Sequence, residues 1–146
     1  MKFNLLPMTV LATSLLTSYA HVHAATVMFE IEGIKNDAGK IYLSLFKGEE
    51  NYQSKKAEAW QIVKPETGTK TVIFNDLEAG EYVIQYFHDE NDNSKLEKNL
   101  FGSPTEGYGF SNDAKPSYGP ASYEDMKIIV SDINETVKNK STVIYK

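Results

Sequence analysis

The chain has 146 residues, with 15 lysines and no arginine against 20 acidic residues, for a formal charge of −5. Without arginine for bidentate phosphate or guanine contacts, and without a basic cluster, the composition argues against nucleic acid and against anionic membranes as partners. The absence of cysteine rules out a disulfide staple and a thiolate zinc site, and leaves open only a hard cation on oxygen ligands.

Residues 1–24 read as a signal peptide. Lys2 gives the positive start, an apolar run follows from Leu5 to Leu16, and "SYAHVHA" places Val22 and Ala24 at the small-residue positions before a cut. Cleavage is expected after Ala24, with Ala25 as the neighbouring choice. The run is too short to span a bilayer, and no later apolar stretch of about 18 residues follows. A secreted or periplasmic location is therefore expected, without membrane insertion. Removal of the segment leaves 122 residues, 14 lysines and 20 acids, a charge of −6, with His88 as the one remaining histidine. That length fits a single domain, 25–146.

In chain order, "ATVMFEIEGIK" (25–35) alternates apolar and polar residues and predicts a strand. "NDAGK" (36–40) predicts a turn, because Asn, Asp and Gly adopt positive φ at low cost. Strands are expected at 41–47, at 58–64 with Trp60, at 69–77 and at 82–88, the most apolar of them. The polar stretch 48–57 is expected to be irregular, with room for one helical turn. Residues 89–122 have no clear period. Strands return at 123–132 and 140–146. About seven short strands separated by turns predict an all-β chain, a single immunoglobulin-like or transthyretin-like β-sandwich with one long structured loop.

A connection of that length in a compact domain is usually functional or disordered. This one carries Leu96, Leu100, Phe101, Tyr108, Phe110 and Tyr118, too apolar a set for a disordered tail. It is expected to fold over one end of the sandwich. Its first part, "HDENDNSKLEKN" (88–99), matches a calcium loop in spacing. Asp89, Asn91 and Asn93 fall at positions 1, 3 and 5, the carbonyl of Lys95 at 7 and Glu97 at 9. In a tightly wound loop, alternate side chains turn inward, so donors two apart surround one ion. Ser94 stands where glycine eases the turn, and Leu100 where a bidentate glutamate belongs. The set would need completion from Glu90, Asp92, Glu106 or Asp113, and Ca²⁺ affinity is expected to be weak, with a Kd of about 10⁻⁴ to 10⁻³ M. The plain alternative is a solvated acidic turn.

Other candidates divide in the same way. His88 ends a strand beside several acids, either as a structural hydrogen bonder or as a functional base. It makes a triad on paper with Asp89 and either Ser94 or Ser103, but no G-x-S-x-G elbow supports that arrangement. Tyr108, Phe110 and Tyr118 alternate with glycines, either as a stacking platform for a protein or carbohydrate ligand or as rings that hold the loop to the sandwich.

The stretch "NDLEAGEYVIQYFHDENDNSKLEKNLFGSPTEGYGFSNDAKPSYGPASYEDM" (75–126), with the hairpin and signal peptide before it, resembles the exported bacterial family called domain of unknown function 2141. The resemblance rests on strand–H-D-E-N, K-L, F-G-x-P-x-E-G-Y-G-F-S-N-x-A and G-P-x-S-Y-x-D, and covers about residues 25 to 146. It implies export and a β-sandwich, and no activity. Members often carry glycine in the acidic turn where this chain has Asp92 or Ser94. "L-x-A-G-x-Y" (77–82) also resembles a connection in transthyretin-like sandwiches. The expected function is an exported non-catalytic module of unknown biochemical role that binds Ca²⁺ and a partner through 89–122. The alternatives are a small hydrolase using loop carboxylates or His88, and a purely structural envelope protein. Oligomeric state is not addressed by these patterns.

Overall fold

Strict alternation makes the first strand. In β1 (Ala25–Ile34), Val27, Phe29 and Ile31 are buried, while Thr26, Met28 and Glu30 on the other face keep contact with solvent. The computed structural model describes residues 24–132 and 134–146; the expected signal segment lies outside them except for its last residue. β1 is the middle of a three-stranded sheet. It pairs antiparallel with β4 (Gly68–Leu77) and parallel with β8 (Thr136–Thr142).

The second sheet runs from β3 (Ala59–Val63) through β2 (Lys40–Lys47) to β5 (Gly80–Asp89). The far edge of β5 is shared end to end by β6 (Gly107–Phe110), opposite Gln85–His88, and β7 (Ile128–Val130), opposite Gly80–Tyr82. The inward residues of both sheets, among them Phe29, Ile31, Leu43, Leu45, Phe74, Ile84 and Tyr86, form one core. Tyr86 packs edge-on against Phe29 at 5.8 Å and donates its hydroxyl to Ser141 Oγ at 3.0 Å. The result is an all-β sandwich of eight strands among the described residues. No helix among them is long and apolar enough to cross a membrane.

A second core lies outside the five-stranded sheet. Phe46 and Val83 point outward from β2 and β5. Onto them fold Tyr52 of α1 (Glu49–Gln53), Tyr108 and Phe110 of β6, then Ala114, Ala121, and Tyr123 and Met126 of α2 (Tyr123–Met126). The long connection therefore covers a sheet face, where the sequence suggested an end of the sandwich. The glycines of "GYGF" follow from this arrangement. A Cβ on Gly109 would lie 2.3 Å from the Tyr86 hydroxyl, and one on Gly107 2.4 Å from the Tyr145 ring. The inward face of β6 has no room for side chains, so the outward face carries the rings.

Two terminal elements differ from the sequence reading for visible reasons. The expected strand 123–132 begins as α2, because Ser122 caps it by accepting the Asp125 N–H at 3.2 Å. The last strand starts earlier, at Thr136, and the chain then changes sheets. Val143 N donates to Glu32 O at 2.9 Å, and Ile144 exchanges backbone hydrogen bonds with Tyr108 at 3.1 and 2.7 Å. The C-terminus thus ties the two sheets together beside the 89–106 segment.

Candidate functional site

β5 delivers the site. Tyr82, Ile84 and Tyr86 face the core, and the same phase carries His88 inward, where it is fully buried. Its Nε2 lies 2.7 Å from Ala38 O and its Nδ1 2.7 Å from the Tyr145 hydroxyl. A carbonyl only accepts, so Nε2 carries a proton and donates it to Ala38, while Nδ1 shares a hydrogen bond with the Tyr145 hydroxyl. Tyr145 Oη in turn accepts the Lys35 N–H at 3.3 Å. Burial pushes the Tyr145 phenol up.

Asp89, one residue on, turns to the other side and is also fully buried. Its Oδ1 accepts the Asn93 N–H at 3.0 Å and its Oδ2 the Ser94 N–H at 2.7 Å. From the far end of the loop, Glu106 reaches back, nearly as buried. Its Oε1 accepts the Glu90 N–H at 3.1 Å and its Oε2 the Glu97 N–H at 3.2 Å. Two buried carboxylates thus wind the 90–97 backbone by four N–H groups, which in turn satisfy the buried carboxylate oxygens.

Within the wound turn the amides and Glu97 meet. Asn91 Nδ2 donates to Glu97 Oε2 at 3.0 Å, and Asn93 Nδ2 to Glu97 Oε1 at 2.9 Å. Asn91 Oδ1 accepts the Asn93 N–H at 3.2 Å, and Asn93 Oδ1 the Lys95 N–H at 2.9 Å. Asp89, Asn91, Asn93, Lys95 and Glu97 therefore form one hydrogen-bonded unit. Ser94 has φ 64° and Asp92 φ 59°, so the sharp turn is made by residues other than glycine. Leu96 is half-buried against the outer core and pins the turn to it. Among the described residues no three carboxylate or histidine side chains gather closely enough to hold a metal by themselves; any ion here needs the amide and carbonyl oxygens.

The β1–β2 turn closes the other side. Asn36 Nδ2 donates to Glu90 Oε1 at 2.8 Å, and Lys40 pairs with Asp92 at 2.7 Å. The Asp92 hydrogen bond, then its charge, holds the Lys40 ammonium above its ordinary value. Tyr42, stacked on Phe87 at 5.0 Å, meets the Ser94 hydroxyl at 2.8 Å. The only sequence signal for this pairing was the turn composition of "NDAGK" itself. Tyr108 and Phe110 are buried in the outer core, whereas Tyr118 is fully exposed, as are Leu100 and Phe101 near the bend between Lys98 and Pro104.

Residues 29–138 match the family model for domain of unknown function 2141, described as an uncharacterised protein conserved in bacteria. The chain belongs to this family. The matched span holds the hairpin, the wound acidic turn and the outer core together. Comparison with curated proteins gives no match, and comparison with solved structures gives none either.

Proposed function

We propose that this member of the family is an exported, non-catalytic β-sandwich module whose 89–97 turn takes a calcium ion and presents the loop beyond it to a partner. The observation that carries the reading is the winding of Asp89, Asn91 and Asn93 around Glu97, with Ser94 in the left-handed conformation that the sixth position of a calcium loop requires. Charge supports it as well. The carboxylates of Asp89, Glu97 and Glu106 have no lysine within ion-pair distance among the described residues, and are held by N–H donors alone. A divalent ion would replace the two asparagine amide donors at Glu97, with their side chains rotated to offer oxygen. Within the 89–122 loop, Leu100, Phe101 and Tyr118 are exposed apolar groups that could meet a protein or carbohydrate ligand. His88 supports a non-catalytic role: it is fully enclosed, and both ring nitrogens are engaged.

Thermal melts with calcium and with chelator test this. Calcium at about 100 times its Kd stabilises by about 2.7 kcal/mol, several degrees at this size. Glu97→Gln, at an exposed side chain, should abolish the shift and lower the chelated stability by only about 1 kcal/mol, the worth of one lost hydrogen bond. Superimposable melts of wild type with and without calcium would reject the ion and leave a scaffold whose turn is closed by its own donors.

A further inference from the structure

An edge strand presents a row of unpaired backbone groups, and sheet proteins usually guard it with a charge, a proline or a bulge. Among the described residues β3 is an edge of the five-stranded sheet, paired only with β2. Its five residues, Ala59-Trp60-Gln61-Ile62-Val63, carry none of these guards. Trp60 and Ile62 stand on the outer face, beside Ser44 and Tyr42 of β2, with 71% and 45% of their surfaces exposed. Such an edge is a template for one more strand.

The sequence around it selects the strand. Residues 58–64 read Glu-Ala-Trp-Gln-Ile-Val-Lys, and their chemistry is self-complementary about Gln61. Antiparallel pairing with an identical strand, centred there, sets Glu58 against Lys64, Ala59 against Val63 and Trp60 against Ile62, each pair occurring twice. An aromatic beside a β-branched residue and opposite charges face to face are the favourable cross-strand pairs. Glu58 and Lys64 are both exposed, and neither is in an ion pair among the described residues. The neighbouring in-phase registers are disfavoured. Centring on Trp60 opposes Lys56 and Lys64, and centring on Ile62 opposes Glu58 and Glu66.

We propose that β3 joins a second copy of this chain, antiparallel about a two-fold axis at Gln61, so that two five-stranded sheets become one continuous sheet. The contact is isologous and closed, so it stops at a dimer. A five-residue seam is small, and the dimer is accordingly weak and reversible.

Sedimentation of the purified protein from micromolar to millimolar concentration tests this, together with fluorescence of Trp60, the chain's single tryptophan. Dimer should grow with concentration while Trp60 emission moves to the blue as Ile62 of the other copy covers it. Glu58→Lys, and separately Lys64→Glu, should each raise the dimer Kd by about tenfold, since each opposes like charges at both ends of the seam. The double exchange Glu58→Lys/Lys64→Glu restores both pairs and should return the Kd to within about threefold of wild type. A wild type that stays monomeric throughout overturns the proposal. So does a dimer indifferent to the charge changes, or one that leaves Trp60 emission unmoved; either result places the contact on another face.

Discussion

Gly39 shows how closely the site is fitted at the scale of one residue. It has φ +65°, and a Cβ there would fall 1.7 Å from Asp89 O, on the backbone that begins the acidic turn. Gly102 has a similar φ of +78° with nothing within 4 Å of that position. The pair separates backbone strain from crowding. Gly102→Ala should cost about 1 kcal/mol, the left-handed penalty alone. Gly39→Ala should cost at least about 3 kcal/mol, because Asp89 must also retreat. Urea unfolding of both checks it, and equal losses would mean that the 36–39 turn does not press on β5. The same neighbourhood defines what could be read of the site in advance. The spacing of Asp89, Asn91, Asn93 and Glu97 was legible because those residues meet within one turn. Glu106 was named only as one of four candidates to complete the set, and Asn36, Ala38 and Tyr145 were not placed, since their nearness to the turn depends on strand pairing far away in sequence. The burial of His88 was within reach of the pattern: it continues the inward phase of Tyr82, Ile84 and Tyr86, but its polarity beside so many acids hid that.

At the scale of elements, Ser111 bridges a gap between strands. β6 ends opposite Gln85 and β7 begins opposite Tyr82, so the β5 edge lacks a strand partner at Ile84. Ser111 Oγ fills the place, accepting the Ile84 N–H at 3.0 Å and donating to Met126 O at 2.6 Å, in full burial. One hydroxyl thus acts as the missing backbone and holds both ends of the strap over the outer core. Ser111→Ala leaves a buried N–H and a buried carbonyl without partners, and should destabilise by about 2–4 kcal/mol. Hydrogen exchange at Ile84 reports it directly; protection as strong as in wild type would show that the strap holds without the hydroxyl. β1 was legible from alternation, and β2 to β5 as short strands between turns, the last of them as the most apolar run. β6 was not. Its alternation of glycine and aromatic residues runs opposite to the usual sense, empty toward the common core and full toward the outer one, and four residues are too short to reveal a period. The outer core escaped for a related reason: with Phe46 and Val83 buried outside, β2 and β5 are covered on both faces there, which a period of two does not distinguish from irregularity.

For the whole molecule, two cores lined with tyrosine make alkali the condition that opens it. Burial pushes the phenols of Tyr52, Tyr82, Tyr86, Tyr123 and Tyr145 above the ordinary value of 10.0, Tyr86 most of all, since it is set deep between the sheets. A folded state that holds its phenol protons more tightly than the unfolded chain is at full strength below pH 10. As pH rises past that point, the unfolded chain releases protons that the folded one keeps, and stability falls until each phenol reaches its own raised value. Lys40, Lys47 and Lys127, held above their ordinary value by carboxylate partners, act in the same direction, but as exposed pairs they contribute little. Urea unfolding across a pH series should therefore give constant stability up to about pH 9 and a slope above pH 10 steeper than one proton. Phenolate absorbance from these five tyrosines should lag until the protein unfolds. Tyr86→Phe should lower the starting stability, because Ser141 loses its partner, and should reduce the alkaline slope by one proton. Ionisation of these five phenols near pH 10 while the fold persists would mean that the outer layer, Tyr52 and Tyr123 above all, opens to water, and that the strap from Ser111 to Met126 is looser than its hydrogen bonds require.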